Sequence, residues 1–516
     1  MTVLRLFFYA IWRLLWVVGL LLKWGCKYTF RGVRWLLRPR PITHGSARWA
    51  RLGDLTQGDA LGGEKGVIVG KAWGHFIRFK RDGAVMVTAP MGKGKGVGIV
   101  IPNLLDHKGS MLVTDPKGEN YAVTQRYRSS LGPVYRLDAI HPDHSHSFNP
   151  LDMIRVGTLH EADDAAQIAN FLVINENRDG HWDTSARLVM TALIRHVLHS
   201  QPPELRTLSM CRELIAGGDE RVRLLLTQMA ESNVPSVAEE GRVRLAGLEF
   251  EETTSVIGNT AKALAFWSKD RIGGRLSSAS DFSMMDLNRE GMTVYVMVPD
   301  DQIEVYGPFL RMMTGCALAA LMRGKALPRP EYKPMLMIDE CKALGRLDAL
   351  AKGMGMLREY AHVVHIWQDH GQLNELYGEN GAQTFIAASG AQVTFGISDT
   401  KTAKQLAEDV GRTTVYSRSH GFSEGNLDLV QAQLQNGVSE TGRYLKDAAE
   451  MRRINPNQCI ITLQDQVGAP ILANKVKYYE EWCWRGRYDE WRSQATILNF
   501  PLPRPRSDDD DMPSVA

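Results

Sequence analysis

The sequence predicts an α/β protein built on a mainly parallel sheet, with an all-helical segment inserted into it. Three observations support this fold class. Short apolar runs of strand length lack polar alternation, which is typical of strands buried on both faces of a parallel sheet. Helical patterns, for instance over 306–323 and 402–410, separate these runs. Between about 155 and 275 the strand signals stop and apolar residues recur at helical spacing.

The predicted strands are 66–70, 75–79, 84–87, 111–115, 134–138, 293–298, 335–339, 362–368, 391–397 and 459–464. In the helical segment, one predicted helix has an apolar face formed by Ala186, Val189, Met190, Leu193 and Val197. Asp183 and Thr184 precede that face and have the side chains of helix N-caps. Helical patterns also cover 219–230 and 241–250.

The amino terminus predicts a membrane anchor. Residues 6–22 are apolar except for Arg13, and basic residues crowd the stretch 23–40 that follows. This length is at the short end of the roughly 17–25 residues that a membrane helix needs. The basic flank predicts that the chain from residue 23 onward is cytoplasmic. An amphipathic helix lying in the membrane plane and an ordinary core helix are the alternatives.

The net charge and the cysteine spacing give no direct evidence for a nucleic-acid partner or a zinc site. The 61 basic and 58 acidic residues give a net charge of only +3, which does not by itself imply nucleic-acid binding. Any basic surface must therefore be local or arise in an assembly. The six cysteines form no C-x-x-C pair and no zinc-like spacing with histidine, so reduced thiols are expected.

The run APMGKGKGVGIVIPNLL (89–105) follows an apolar strand and has the layout of a phosphate-binding loop. In such a loop, glycines let main-chain N–H groups surround a nucleotide's β-phosphate, and a lysine reaches the phosphates. Lys95 stands at the position of that lysine and would reach the β- and γ-phosphates. The usual pattern G-x-x-x-x-G-K-[ST] is broken at Ala89 and at Gly96, where a hydroxyl would hold magnesium. A plain turn rich in glycine and lysine is the alternative. The predicted nucleotide-binding residues of the loop are Pro90, Met91, Gly92, Lys93, Gly94, Lys95, Gly96 and Val97.

A pair of acids after a second strand supports the nucleotide interpretation. In PMLMIDECKAL (334–344), Asp339 would hold magnesium and Glu340 would take the proton of the attacking water. Gln368 ends the strand HVVHIWQ (362–368) and is placed to orient that water or to detect the γ-phosphate. Arg358 is either an arginine finger acting on a neighbouring subunit or a surface arginine in a salt bridge. An ordinary acidic strand end is the alternative for the acid pair.

At this point the sequence resembles the coupling-protein ATPases of conjugation and type IV secretion, of the TraG/VirD type. In this family glycine commonly follows the lysine of the loop, so Gly96 is in pattern and Ala89 departs from it. The other similar stretches are HGSARWA (44–50), LVTDPKGENY (112–121), FNPLD (148–152), GHWDTSA (180–186), MIDECKALGRL (337–347), IWQDHGQLNELYG (366–378) and GAPILANKVKYYE (468–480). Their order and spacing over almost the whole chain carry the resemblance.

The resemblance implies a RecA-like P-loop ATPase that uses ATP and Mg²⁺, anchored in the bacterial inner membrane with most of the chain in the cytoplasm. It implies a homo-hexamer at the entrance of a secretion channel, contacting the channel's inner-membrane components. The implied cargo is single-stranded DNA with its attached relaxase, or effector proteins. It also places Asp115, Lys117 and Glu119 near the nucleotide, with a turn closed by a salt bridge as the alternative. The family usually has two membrane helices, whereas only one is evident here.

The expected domains are a membrane anchor with its basic flank (1–40), a nucleotide-binding domain in two parts (41–154 and 276–497), an all-α domain (155–275) and a Pro-rich, acidic, disordered tail (498–516). A transfer motor is the function that the residues favour, because Glu340 and Gln368 together suit hydrolysis. A docking platform that binds nucleotide and recruits cargo with little turnover is the main alternative. A chromosome-segregation translocase is disfavoured, because the chain ends in an acidic tail rather than a DNA-orienting domain.

Overall fold

A computed structural model describes residues 43–174, 181–421 and 435–491 of the 516-residue chain. The chain divides into two compact units, Met1–Ala47 with Glu408–Lys446, and Arg48–Ala407 with Asp447–Ala516. The larger unit contains the central sheet, and the smaller unit contains an antiparallel hairpin.

The described strands are β1 (Val67–Ala72), β2 (His75–Phe79), β3 (Ala84–Thr88), β4 (Met111–Asp115), β5 (Val134–Asp138), β6 (Thr293–Met297), β7 (Met335–Ile338), β8 (His362–Trp367), β9 (Ser389–Phe395), β10 (Arg412–Gly421), β11 (Gln435–Tyr444), β12 (Gln458–Leu463) and β13 (Val467–Asn474). The described α-helices are α1 (Leu52–Gln57), α2 (Ile101–Asp106), α3 (Glu119–Ser129), α4 (Glu161–Leu172), α5 (His181–Ser200), α6 (Leu208–Ile215), α7 (Asp219–Ala230), α8 (Pro235–Ala246), α9 (Glu251–Ala263), α10 (Ile272–Leu276), α11 (Gly307–Arg323), α12 (Asp348–Leu357), α13 (His370–Ala388), α14 (Thr400–Val410) and α15 (Ala448–Arg452). Every strand predicted from the sequence is present within a residue or two of its expected limits.

The central sheet has the strand order β2-β1-β13-β12-β9-β3-β8-β7-β4-β6-β5. From β9 to β5 each neighbouring pair is parallel, whereas β12, β13, β1 and β2 extend the sheet in antiparallel fashion. The register across the centre pairs Val87 of β3 with Ile366 of β8 and Met337 of β7 with Val364 of β8. The predicted α/β fold with a mainly parallel sheet is confirmed.

The central strands are buried on both faces, which explains their continuous apolar sequences. Alternate residues of β3 belong to different cores because side chains alternate across a sheet. Ala84 and Met86 join the core that includes α4, α5 and α11, whereas Val85 and Val87 join the core that includes Ile99. The same sheet is therefore covered by helices on each side.

The described part of 155–275 contains helices α4 to α9 and the start of α10, and no strand. The predicted apolar face of α5 is buried, with Ala186, Val189, Met190, Leu193 and Val197 at 2 % exposure or less. The predicted cap was wrong. Helix α5 already begins at His181, so Asp183 lies inside its first turn. An acid there still suits the positive end of the helix.

The sequence analysis missed β13 and the β10–β11 hairpin. In the smaller unit, β10 and β11 pair from Arg412 with Tyr444 to Gly421 with Gln435, and Ser46 forms a bridge with Thr413. These strands carry polar residues such as Thr, Ser and Arg on both faces, so they show no apolar run and no apolar–polar alternation.

Within the described ranges, no helix is both long and apolar enough to cross a lipid bilayer. The predicted anchor at 6–22 and the predicted tail at 498–516 lie outside the described residues. Both therefore stay predictions.

His365, a buried histidine on β8, should make the folded protein less stable at acidic pH. The Nδ1 atom of His365 accepts a hydrogen bond from Trp367 Nε1 at 2.8 Å, and Nε2 lies 3.2 Å from Ser389 Oγ. Burial lowers the pKa of His365 to about 3. The neutral ring is therefore favoured in the folded protein, while the unfolded chain takes up a proton below about pH 6.5.

Because the unfolded state binds the extra proton, stability should fall as the pH drops from about 6.5 toward 3. At pH 5 the contribution of His365 should be lower by about 2 kcal/mol than at pH 7.5. Urea unfolding at both pH values should show this loss, and His365→Gln should lose about 2 kcal/mol less over the same interval. An equal loss in wild type and variant would contradict the assignment.

Candidate nucleotide-binding site

The carboxyl ends of four neighbouring parallel strands bring the predicted site residues together. In the sheet these strands lie in the order β3-β8-β7-β4. The glycine-lysine loop follows β3, Gln368 follows β8, Asp339 and Glu340 follow β7, and Asp115 ends β4. Since the ends of parallel strands meet at one edge, residues far apart in sequence become neighbours there.

The loop after β3 has the backbone that its glycines predict. Gly92 and Gly94 have φ angles of 71° and 82°, in a region that glycine adopts without strain. Lys95 is already helical, and a π-helical turn, Gly96–Val100, leads into α2. The free N–H groups at the start of this helix therefore point into the loop, where an anion would be bound.

Lys95 joins the loop to the two predicted acids. Its Nζ atom lies 2.7 Å from Asp339 Oδ1 and 2.7 Å from Glu340 Oε2. Burial lowers the pKa of Lys95, but the two carboxylates more than offset this and leave its pKa raised. Burial raises the pKa of Asp339, and Lys95 opposes that shift. The result is a charged ammonium group held between two carboxylates.

Glu340 is held at both oxygens and in an unusual backbone conformation. Its Oε1 atom accepts a hydrogen bond of 2.8 Å from Gln368 Nε2, while Oε2 faces Lys95. The backbone of Glu340 is left-handed, with φ 63° and ψ 60°, which is uncommon for a residue with a side chain. Strained conformations of this kind cluster at functional sites, where the surrounding contacts hold them. Gln368 is itself positioned by its N–H, which donates to Gln372 Oε1 at 3.1 Å.

Thr114, which the sequence analysis did not single out, fixes the main chain of Asp339. Its hydroxyl accepts a hydrogen bond from Asp339 N at 2.7 Å and donates to Asp339 O at 2.8 Å. This double contact ties the end of β4 to the end of β7. The available signal was a threonine directly before Asp115 in an otherwise apolar strand.

Asp115 organises the start of α3. It accepts hydrogen bonds from Tyr121 N at 2.8 Å and from Asn120 Nδ2 at 3.3 Å. Burial raises the pKa of Asp115 to about 7, although the N–H groups of Tyr121 and Asn120 act in the opposite direction. Lys117 is exposed, and its Nζ atom lies 3.5 Å from Oδ2 of Asp300, which belongs to a separate 3₁₀ turn, Asp300–Gln302. Burial also raises the pKa of Glu119.

The glycine-lysine loop, the acid pair, Gln368 and the turn after β4 line one cleft of about 820 Å³. The predicted residues on its wall are Met91, Gly92, Gly94, Lys95, Gly96, Val97, Asp115, Lys117, Glu119, Asp339, Glu340 and Gln368. Pro90, Lys93 and Arg358 are not among the described residues that line it. Lining residues that the sequence analysis missed include Asn120, Arg311, Lys342 and Gln372, because nothing in the local sequence distinguishes them from ordinary surface or core positions.

Arg358 lies away from the cleft in its own chain. It follows the last residue of α12 and precedes β8, so it lies at the amino-terminal edge of the sheet. Its main-chain carbonyl accepts a hydrogen bond from Lys333, which also pairs with Asp82. Arg358 is exposed there.

The chemical groups in the cleft suit a nucleotide bound together with Mg²⁺. It combines carboxylate oxygens, an ammonium group and a helix amino terminus, which match a hard cation and phosphate oxygens. The described residues contain no group of three or more side chains arranged as a ready metal cage. Magnesium usually binds through one or two carboxylates, substrate phosphates and water, so Asp339 with few other protein ligands is compatible with it.

The fold and the cleft place the chain in the class of P-loop NTPase folds. Within that class, the chain belongs to the family described as Type IV secretory system Conjugative DNA transfer, which it matches over residues 45–503.

The chain is also similar to individual proteins of known name. The chain is 27 % identical to protein VirD4 of Rhizobium rhizogenes over 455 residues, covering 85 % of this chain and 66 % of the relative. It therefore spans just under two thirds of that relative's length. It is 26 % identical to the conjugal transfer protein TraG of Escherichia coli, covering 81 % of this chain and 70 % of TraG. The plasmid coupling protein TrwB in complex with ADP and Mg²⁺ has a similar structure, with a TM-score of 0.62, 15 % identity, and coverage of 85 % of this chain and 96 % of TrwB.

Proposed function

We propose that this chain is a membrane-anchored type IV coupling protein. In this role it is an ATPase that recruits single-stranded DNA with its relaxase, effector proteins, or both, to a secretion channel and drives their transfer. The observation that carries the proposal is the convergence of Lys95, Asp339 and Glu340 at 2.7 Å in a chain of the conjugative DNA transfer family. TrwB, its structural relative, is described as a plasmid coupling protein and has been solved with ADP and Mg²⁺.

The chain's own residues would divide the work as follows. Lys95 and the N–H groups at the start of the loop helix bind the phosphates. Asp339 holds Mg²⁺, directly or through its water shell, because Gly96 has no hydroxyl to contribute. Bound Mg²⁺ supplies charge neutralisation for the phosphate oxygens. Glu340 takes a proton from the attacking water at its carboxylate, and Gln368 orients that carboxylate and the water.

The contacts at both carboxylate oxygens of Glu340 favour an ATP-hydrolysing motor over a docking platform that only binds nucleotide. One of its oxygens contacts Lys95, and the other accepts from Gln368, so the carboxylate has a defined direction. A residue that only completed an acidic strand end would need neither contact. In the proposed reaction the ammonium group of Lys95 binds the phosphates, and its ion pair with Glu340 weakens. The carboxylate of Glu340 is then available as a base.

The proposed working form is a homo-hexamer attached to the inner membrane through residues 6–22, with most of the chain in the cytoplasm. Its channel partners are the inner-membrane components of the secretion system. The exposed position of Arg358, away from its own cleft, suits a role toward the nucleotide of a neighbouring subunit. Residues 155–275 are proposed as an all-α, cargo-selecting domain inserted between the two parts of the nucleotide-binding domain, 41–154 and 276–497.

Phosphate release by the purified full-length protein tests the function. ATP with Mg²⁺ should be hydrolysed, and single-stranded DNA should raise the rate severalfold, because a motor couples turnover to its cargo. Cargo should then be captured from the native host on the Glu340→Gln protein, which separates nucleic acid with relaxase from effectors alone. ATP binding without phosphate release, with or without DNA, would instead support the docking platform. Failure to bind ATP would contradict both functions.

A further inference from the structure

A buried arginine on α11 contacts two other elements at once. The side chain of Arg311 is only 4 % exposed. Its Nη1 atom donates to Leu344 O at 3.0 Å, and its Nε atom donates to Phe171 O at 2.8 Å. The first carbonyl belongs to the turn after the paired acids, and the second belongs to the last turn of α4. One guanidinium group therefore holds both.

The turn held by Arg311 begins directly after Glu340, the proposed general base. A single 3₁₀ turn, Cys341–Leu344, follows directly on the left-handed Glu340. The same turn lies against the first residue of α11, because a Cβ built on Gly307 would be 2.6 Å from Ala343 O. A shift of this turn relative to α11 would therefore change the direction of the Glu340 carboxylate.

The other contact of Arg311 leads to the helical segment. The carbonyl of Phe171 lies in the last turn of α4, where carbonyl groups lack partners within the helix and attract cations. The ring of Phe171 also packs closely on α11, since a Cβ built on Gly315 would lie 2.8 Å from it. The end of α4 is thus seated on the same face of α11 that carries Arg311.

We propose that Arg311 is a positioning residue that links the end of α4 to the turn Cys341–Leu344, here called the catalytic turn, so that the placement of Glu340 depends on the helical segment. This inference rests on the proposed ATPase function. The planar guanidinium suits the role because its N–H donors are fixed in a rigid fork, whereas the three N–H donors of an ammonium group radiate from one nitrogen that rotates freely. If α4 moves when cargo binds, the Arg311 side chain would shift the catalytic turn and so change the position of the Glu340 carboxylate.

Steady-state hydrolysis by full-length variants tests the link. Arg311→Gln should lower kcat about 100-fold, since small misplacements of a catalytic group have effects of that size, and should leave the KM for ATP within about threefold. Arg311→Lys should recover part of the rate. Arg323→Gln is the matched control, because Arg323 lies on the same helix and donates to Met153 O and to Asp164 within α4, and neither of these contacts involves the turn.

The control separates positioning from simple packing. Arg323→Gln should lower the melting temperature to an extent similar to Arg311→Gln, with kcat within about threefold of wild type. Equal losses of kcat in the two variants would overturn the positioning role. If wild type itself hydrolyses no ATP, the proposed function fails instead, so the two failures are distinguishable.

A second variant keeps the test independent of Arg311. Gly315→Ala would push the Phe171 ring from α11 while leaving every cleft-lining side chain unchanged. The link predicts a severalfold lower kcat with nucleotide affinity retained. Wild-type kcat in a Gly315→Ala protein with a lowered melting temperature would contradict a connection between α4 and the catalytic turn.

Discussion

Replacing Lys95 with alanine is expected to weaken ATP binding by about 100-fold and to abolish measurable turnover. Hydrogen bonds to charged groups contribute roughly 1.5–3 kcal/mol each, and a desolvated site sits at the upper end of that range. The substitution also leaves two carboxylates facing each other, with side chains only 10 % and 15 % exposed. The folded protein should therefore be less stable as well. Titration with a fluorescent ATP analogue and a thermal melt measure the two effects.

Lys93→Ala is the matched control for this experiment. Lys93 is two residues away in the same loop, but it is exposed and does not line the cleft. Its stem lies beside Gly396, and its main-chain carbonyl, which accepts from Lys475 at 3.0 Å, is unaffected by the substitution. Nucleotide affinity should stay within about threefold, as for most surface changes. Similar losses in both variants would show that the loop's general positive charge, rather than the ion-paired lysine, binds the nucleotide.

Replacing Glu340 with glutamine should lower kcat by about 10²- to 10⁴-fold, which is the usual contribution of a positioned general base. Glutamine retains an acceptor for Gln368 Nε2, and Lys95 keeps its contact with Asp339, so nucleotide affinity should change by less than about tenfold. Single-turnover phosphate release, set beside equilibrium binding of the ATP analogue, separates the chemical step from binding.

Glu304→Gln provides the comparison. Glu304 lines the same cleft but is exposed, and the contacts described above for Lys95 and Glu340 do not include it. Its substitution should leave kcat within about threefold of wild type. A Glu340→Gln protein that turns over at the wild-type rate would remove this residue from the reaction and would favour the docking platform.

Much of the candidate site was predictable because its chemistry lies in short continuous stretches. Gly92, Gly94 and Lys95 stand together in one turn, and Asp339 and Glu340 end one apolar strand. In a parallel sheet, strand ends meet at one edge, so two such motifs imply one cleft without knowledge of the strand order. The strands themselves were predictable because burial on both faces demands uninterrupted apolar residues.

Other parts of the site depend on contacts between distant segments. Thr114 is an ordinary strand residue in the sequence, and only the pairing of β4 with β7 brings its hydroxyl to Asp339. Arg311 is a cationic residue within an apolar helix, and its importance follows from two carbonyls 140 and 33 residues away along the chain. Lys93, in contrast, looks like a site residue in the sequence but does not line the cleft. It shares a loop with Lys95, yet the turn of the backbone excludes it from the cleft.

The amino-acid sequence by itself determined the fold class, the loop that can surround a phosphate and the acids that can serve it, since local burial patterns and side-chain chemistry encode all three. Only the tertiary structure decided which groups hold Glu340 in its left-handed conformation and which strands extend the sheet beyond its parallel part. The physical reason is that hydrogen bonds and ion pairs act over about 3 Å, whereas the residues that form them here are separated by up to hundreds of positions in the chain.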